Sequence, residues 1–218
     1  LRLGLAGGGT DVSPYSDMYG GAILNATISS YAFATIEPLD NGKIEFAVGH
    51  SQEVVSFDAA LELPISNRSY ELQSGVYNHI VKHHTKKPLS FRMTTWIDAP
   101  QGSGLGTSST LVVAILGAFV EWLKLPLGKY DIAHTAFEIE RIEMGMAGGK
   151  QDQYAATFGG INFLEFLAND KVIVNPLHIK EDILSELESN LVLYFTETNR
   201  DSASIIYHQV ENVKNNNV

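Results

Sequence analysis

The residues best suited to chemistry lie in three glycine-rich clusters. The first is Gly102-Ser103-Gly104-Leu105-Gly106-Thr107-Ser108-Ser109, preceded by Pro100 and followed by an apolar run from Thr110 to Val120. Glycines let backbone N–H groups approach a ligand without side chains in the way. A helix that opens there adds unpaired N–H donors and the positive end of its dipole. The chemistry expected is anion binding, with phosphate the natural anion. A flexible turn with a serine cap is the plainer alternative.

The second cluster is Glu138-Ile-Glu140-Arg141 followed by Gly148-Gly149-Lys150-Gln151-Asp152-Gln153. Glu140 sits late in one expected helix and Asp152 opens the next. A glycine-rich turn between them can fold both carboxylates toward one place, where one could hold a metal and the other accept a proton from a hydroxyl. Alternatively, Glu138, Glu140 and Glu143 form a solvated helix face. Lys150 is placed to keep Asp152 ionised, or is an ordinary surface lysine. The Ser109 hydroxyl could face a phosphate or Mg²⁺, or simply cap the helix. The third cluster is Gly7-Gly8-Gly9-Thr10-Asp11, whose Asp11 suits ligand hydroxyls but equally suits a turn. His50, His79, His83, His84 and His134 show no clear metal-ligand context. His83-His84 beside Lys82, Lys86 and Lys87 reads as a solvated helix end.

Elements that could position these clusters follow from periodicity. Strands are expected at Leu1–Ala6, in one or two pieces over 22–37, at Lys43–Val48 and Glu53–Phe57 as a hairpin around Gly49-His50-Ser51, and at Leu89–Ile97. Further strands are expected at Ile161–Leu167, at Lys171–Val174 pairing with it, and at 191–196. Helices are expected over 71–84, 108–124, Tyr130–Met144, Asp152–Thr157, Lys180–Leu187 and 201–214. The helix over 108–124 is apolar all round, which predicts cover on most sides. A strand and a helix after residue 190 cannot bury a core of their own, so a second domain is expected to begin there and to be cut short. The leucine at position 1 likewise suggests that the true N-terminus lies upstream.

Composition narrows the class. The 218 residues are 44% hydrophobic and 18% charged, which supports a sizeable core and argues against global disorder. There is no cysteine, so disulfides and thiolate metal sites are excluded. No apolar run approaches the roughly 20 residues that span a bilayer. The net charge of −10 argues against nucleic acid or an anionic membrane as partner. A phosphate site must then be locally positive against an acidic background.

The three clusters, in this order, resemble the GHMP kinase superfamily, which includes galactokinase, homoserine kinase and mevalonate kinase. The loop is not a Walker loop, because no Gly-Lys-Ser/Thr follows its glycines. The superfamily pattern Pro-x-Gly-x-Gly-Leu-Gly-Ser-Ser is found within Pro100–Ser109, with Thr107 at the first hydroxyl position. Arg2 precedes Asp11 with the spacing seen in galactokinases. Gly8 and Gly9 stand where galactokinases have a Glu-His pair, and the Glu140–Asp152 separation is one residue longer than in mevalonate kinases. Within the superfamily, Leu-Ala-Gly-Gly-Gly-Thr-Asp and Gly-Gly-Lys-Gln-Asp-Gln-Tyr-Ala-Ala look most like the heptose phosphate kinases, with fucokinases sharing much of the pattern.

The resemblance implies an α+β chain: a two-layer N-terminal domain over 1–188, like ribosomal protein S5 domain 2, and the start of a ferredoxin-like domain over 189–218. It implies ATP-dependent phosphorylation of a sugar or sugar phosphate at the anomeric hydroxyl, with D-glycero-D-manno-heptose 7-phosphate foremost, in the cytoplasm, with a homodimer as a possible assembly. ATP would lie on Gly102, Ser103, Gly104, Leu105, Gly106, Thr107, Ser108 and Ser109. Mg²⁺ would be held by Ser109 and Glu140. Asp152 would be the catalytic carboxylate, assisted by Lys150 and Arg2. The sugar would meet Gly8, Gly9, Thr10, Asp11, Gln151 and Arg200. Other small-alcohol kinases, or a non-catalytic sugar and nucleotide sensor on the same fold, are the competing readings.

Overall fold

The computed structural model describes residues 1–49, 54–65, 69–100, 102–192, 194 and 202–215. The turn at His50-Ser51 and Arg200 lie outside the described residues, as does much of the strand expected over 191–196. The chain is α+β. Its strands form two four-stranded sheets. One contains β1 (Arg2–Ala6), β2 (Gly21–Thr27), β7 (Ile161–Phe166) and β8 (Val172–Pro176) in the order β1-β2-β7-β8, all antiparallel. The other contains β3 (Ala32–Pro38), β4 (Lys43–Val48), β5 (Val54–Asp58) and β6 (Phe91–Ile97) in the order β3-β6-β4-β5, with β4 and β6 parallel. The run 22–37, rich in β-branched and aromatic residues, therefore feeds two different sheets. The break falls at 28–31, where the chain leaves β2 and crosses to β3.

Helices α2 (Glu71–Ile80), α3 (Thr107–Leu123), α4 (Lys129–Phe137) and α5 (Gln151–Phe158) fill the space between the sheets. A short α1 (Tyr15–Tyr19) follows the first glycine cluster. α3 packs on β3 and β6 and also on α2, α4 and α5, as its uniform hydrophobicity requires. Its buried residues Leu111, Val112, Ile115, Leu116 and Phe119 join Ile44, Phe46, Tyr77, Phe91 and Met93 in the larger core. A smaller core gathers Ile23, Ala133, Tyr154, Leu164 and Phe166 between the first sheet, α4 and α5.

Two helices end in π-helical turns. After α2 the chain winds on through Val81–Thr85, and Lys86 N–H donates to Val81 C=O, five residues back, at 2.9 Å. After α4 it continues through Glu138–Glu143, where Met144 N–H donates to Ile139 C=O at 2.9 Å. The helix expected over Tyr130–Met144 is thus an α-helix with a widened last section. α6 (Glu181–Asn190) and α7 (Ser202–Lys214) complete the described residues. Among the described residues no helix is long and apolar enough to cross a membrane.

Candidate active site

The glycine loop leads directly into α3. Gly102, Gly104 and Gly106 all adopt positive φ, between 73 and 77°, a region that side-chain-bearing residues avoid. Gly106 is the N-cap and no side chain caps the helix. The first N–H groups of α3 are therefore not taken by a capping side chain, and the dipole of a 17-residue helix points its positive end at the loop. That is a locally positive place in an acidic chain.

Around this helix end lies a cleft of about 540 Å³. It is lined by residues of all three clusters: Gly8, Gly9 and Asp11, the loop from Gly102 to Ser109, and Gly149, Gln151 and Asp152. β1 delivers Arg2 to its floor. The Arg2 guanidinium bonds Asp152 Oδ1 through Nε and donates to Gly104 C=O at 3.0 Å. One arginine thus joins the first turn of α5 to the glycine loop. Asp152 also approaches Gly106 closely: a Cβ there would stand 3.1 Å from its carboxyl carbon. Asp152 Oδ2 has no hydrogen-bond partner among the described residues.

Asp11 is 2% exposed and accepts a hydrogen bond from Gln151 N–H at 2.9 Å. Burial pushes its carboxyl above the usual carboxylate range. The Gln151 N–H pulls it back, and the negative charge of Asp152 adds to the rise. Its Oδ1 is buried without a partner. Gly149 makes this packing feasible, since a Cβ there would lie 2.0 Å from Asp11 Oδ2. Thr10 is a turn residue: its hydroxyl donates to Gly7 C=O and accepts from Ala22 N–H.

The π turn brings Glu140 inward, where it is fully buried. Ser108 Oγ donates to Glu140 Oε1 at 2.9 Å, and Gln153 Nε2 donates to Oε2 at 2.6 Å. A cationic neighbour, Arg141, stands 3.8 Å from Oε1. The solvated-face alternative therefore fails for Glu140, while Glu138 and Glu143 do reach solvent. The Ser109 hydroxyl is occupied otherwise. It receives hydrogen bonds from Arg141 Nη2 at 3.2 Å and Gln153 Nε2 at 3.1 Å, which use both of its acceptor lone pairs. It is Ser108, one residue earlier, that meets Glu140.

Lys150 is not brought to the cleft. Its ammonium binds Asp170 Oδ1 at 2.5 Å and lies over the Phe137 ring, 5.2 Å from the centroid. The buried N-cap position of α5 aims the side chain at the β7–β8 turn instead. In the opposite direction, three residues that the motifs did not single out line the cleft: Ile205, Ile206 and Gln209 of α7. Gln209 Nε2 donates to Gly9 C=O at 2.6 Å. The sequence predicts a helix over 201–214, but nothing in it names the surface that helix covers. A second cavity of about 320 Å³ adjoins the first across Gly102, Thr107, Ser108 and Met146, and extends to Leu72, Trp96 and Leu111.

Residues 71–160 match the family description "GHMP kinases N terminal domain". The chain is 53% identical, over 96% of its length, to a D-glycero-alpha-D-manno-heptose 7-phosphate kinase of Campylobacter jejuni. It is 55% identical to a solved D-glycero-D-manno-heptose 1-phosphate kinase from Bacteroides thetaiotaomicron, with a TM-score of 0.85 over 98% of this chain and 70% of that one. The chain belongs to the GHMP kinases. A galactokinase from Lactococcus lactis shares the fold at 18% identity, with a TM-score of 0.66 over 83% of this chain and 46% of its own. This GHMP kinase chain spans 61% of the length of the Campylobacter protein.

Proposed function

We propose that this chain carries the nucleotide loop and catalytic carboxylate of a sugar kinase, which phosphorylates the anomeric hydroxyl of D-glycero-D-manno-heptose 7-phosphate at the expense of ATP. The observation that carries the reading is the meeting of Asp152, Arg2 and Asp11 with the uncapped glycine loop in one cleft. The substrate rests on the 53% identity to the Campylobacter heptose 7-phosphate kinase.

In this reading the ATP phosphates lie on the N–H groups of Gly102–Ser109. The adjoining cavity, with Leu72, Trp96 and Leu111 on its walls, takes the base. Asp11, Gly8 and Gly9 face the sugar, and α7 covers them. Asp152, oriented by Arg2, accepts the proton of the anomeric hydroxyl as that oxygen attacks the γ-phosphorus. The bond to the β–γ bridging oxygen breaks, and ADP leaves. Transfer of this kind depends mainly on position and charge neutralisation. Arg2 and Arg141 supply fixed positive charge at the cleft.

The hydroxyl of Ser108 and the carboxylate of Glu140 are hard oxygen donors of the sort Mg²⁺ prefers. Glu140 is buried and, among the described residues, has only Arg141, at 3.8 Å, as a cationic neighbour, so the pair fits a divalent cation. When bound, Mg²⁺ would neutralise phosphate charge. Ser109 and Lys150 take no such part, being committed to Arg141 and Gln153 and to Asp170 respectively. Arg200, outside the described residues, is proposed among the substrate-binding residues. The division at 188/189, between an S5-like and a ferredoxin-like domain, is proposed on the position of the matched segment 71–160 inside the first.

The test is ADP release by the full-length protein, offered heptose 7-phosphate, fucose, mannose or mevalonate in parallel. Turnover with the heptose phosphate at least about tenfold above the others is expected. Preferential turnover of fucose or mevalonate removes the substrate assignment. No turnover with any acceptor removes the catalytic one.

A further inference from the structure

Away from the cleft, α2 and the two π turns gather three ligand-type side chains. His79 and His83 are four residues apart and share one helix face. Their rings stack with centroids 4.4 Å apart. Glu143, at the end of the second π turn, reaches both. His79 Nδ1 lies 3.0 Å from Oε2, and His83 Nε2 lies 3.4 Å from Oε1. One ligand atom from each residue lies within 4.8 Å of the other two. Donors about 2.0–2.2 Å from a tetrahedral zinc ion stand roughly 3.3–3.5 Å from one another, so a cluster already within 4.8 Å closes around an ion with small side-chain adjustments.

The competing account is a salt-bridged helix end, with Glu143 shared by the histidines and by Lys82, whose Nζ lies 3.4 Å from Oε1. The placement favours a ligand set: His79 is buried, with 7% of its side chain exposed, and Glu143 closes on it and on His83 from a separate element. Lys82 is 68% exposed in its side chain and can leave Glu143 for water at little cost.

We propose that His79, His83 and Glu143 bind a divalent transition metal of the zinc class, through His79 Nδ1, His83 Nε2 and a Glu143 oxygen. Two imidazoles and one carboxylate suit zinc, cobalt or nickel, not Mg²⁺ or Ca²⁺, and leave a coordination position for water. The ligands come from α2 and from the segment that runs on into Met146–Gly149, which line the cleft. A bound ion therefore clasps α2 to the wall of the active site. The site stands independently of the kinase assignment.

The experiment uses untagged protein freed of metal with a chelator. It is titrated with Zn²⁺ by calorimetry and with Co²⁺ by visible absorption. One equivalent of each is expected, with the intense d–d bands of tetrahedral cobalt and a rise in unfolding temperature on adding Zn²⁺. Mg²⁺ in large excess should displace neither. His83→Gln changes a half-exposed residue and should fold normally; Glu143→Gln is the second variant. Each is expected to weaken Zn²⁺ binding by about tenfold or more and to abolish the cobalt bands. Absence of stoichiometric binding in the wild type overturns the proposal, as does unchanged affinity in His83→Gln or displacement by Mg²⁺.

Discussion

Gly149→Ala tests the packing on which the substrate side of the cleft depends. Gly149 does not have positive φ, so alanine brings no backbone strain there. The whole effect is a clash with Asp11. The new Cβ would stand 2.0 Å from Oδ2 and must retreat to about 3.4 Å for ordinary contact. Asp11 cannot rotate freely, because it is buried and Oδ2 is the atom held by Gln151 N–H. The hydrogen bond is therefore expected to break. A bond to a charged group is worth about 1.5–3 kcal/mol, so the variant should lose roughly that much stability in urea unfolding. Displacing Asp11 by an ångström should lower turnover on the order of 10²-fold in the ADP-release assay. Truncating the partner separates clash from cavity. In Asp11→Ala/Gly149→Ala the clash is gone, so the two losses should fall short of additivity by at least about 1 kcal/mol, while turnover stays low. Additivity within about 0.5 kcal/mol would show that Gly149 does not act through Asp11 and would refute the reasoning.

Asp152→Asn should lower turnover on the order of 10²-fold or more while ATP binding, followed by calorimetry, persists; near-normal turnover removes Asp152 from the chemistry. Ser108→Ala should raise the Mg²⁺ concentration needed for half-maximal activity about tenfold, whereas Ser109→Ala should chiefly cost about 1–3 kcal/mol in unfolding experiments by orphaning Arg141 and Gln153. The reverse pattern would return the metal to Ser109. Asp11→Asn should be inactive yet gain stability relative to wild type as pH rises. The folded state holds the Asp11 proton to higher pH than the unfolded chain, whose carboxyl titrates near 3.8, so wild-type stability falls as pH rises from there through the elevated folded pKa. The amide cannot ionise and escapes that loss. Parallel pH profiles of denaturant midpoint for the two proteins would contradict the shift.

How far the sequence foretold this depends on which physical scale each feature obeys. The glycine loop, α3 and strands β1 to β8 obey local rules of period and turn chemistry, and their expected bounds match to within a few residues. Directions around a helix axis obey finer ones. The helix expected from residue 108 begins at Thr107, and successive residues point about 100° apart, so neighbouring hydroxyls Ser108 and Ser109 serve different partners. Lys150 stands two residues before Asp152, about 200° of rotation away, and it finds Asp170, 20 residues on. Gln209 and Gly9 meet across 200 residues, which no local pattern encodes. The same holds for His79 and His83. Read alone they are a polar helix end; only the fold brings Glu143, 64 residues beyond His79, between them.

The π turn over Glu138–Glu143 ties the site to the length of the chain. An i→i+5 turn houses one more residue than an α turn with little gain in length along the axis. The widened turn carries Glu140 inward, where it arrives buried against Ser108 and Gln153. The position of this carboxylate in space therefore depends on the winding of the helix as well as on its place in the count. Removing one residue from Glu138–Glu143 is then expected to rewind the π turn as an α turn and to swing Glu140 off Ser108, although no residue that touches the cleft has been changed.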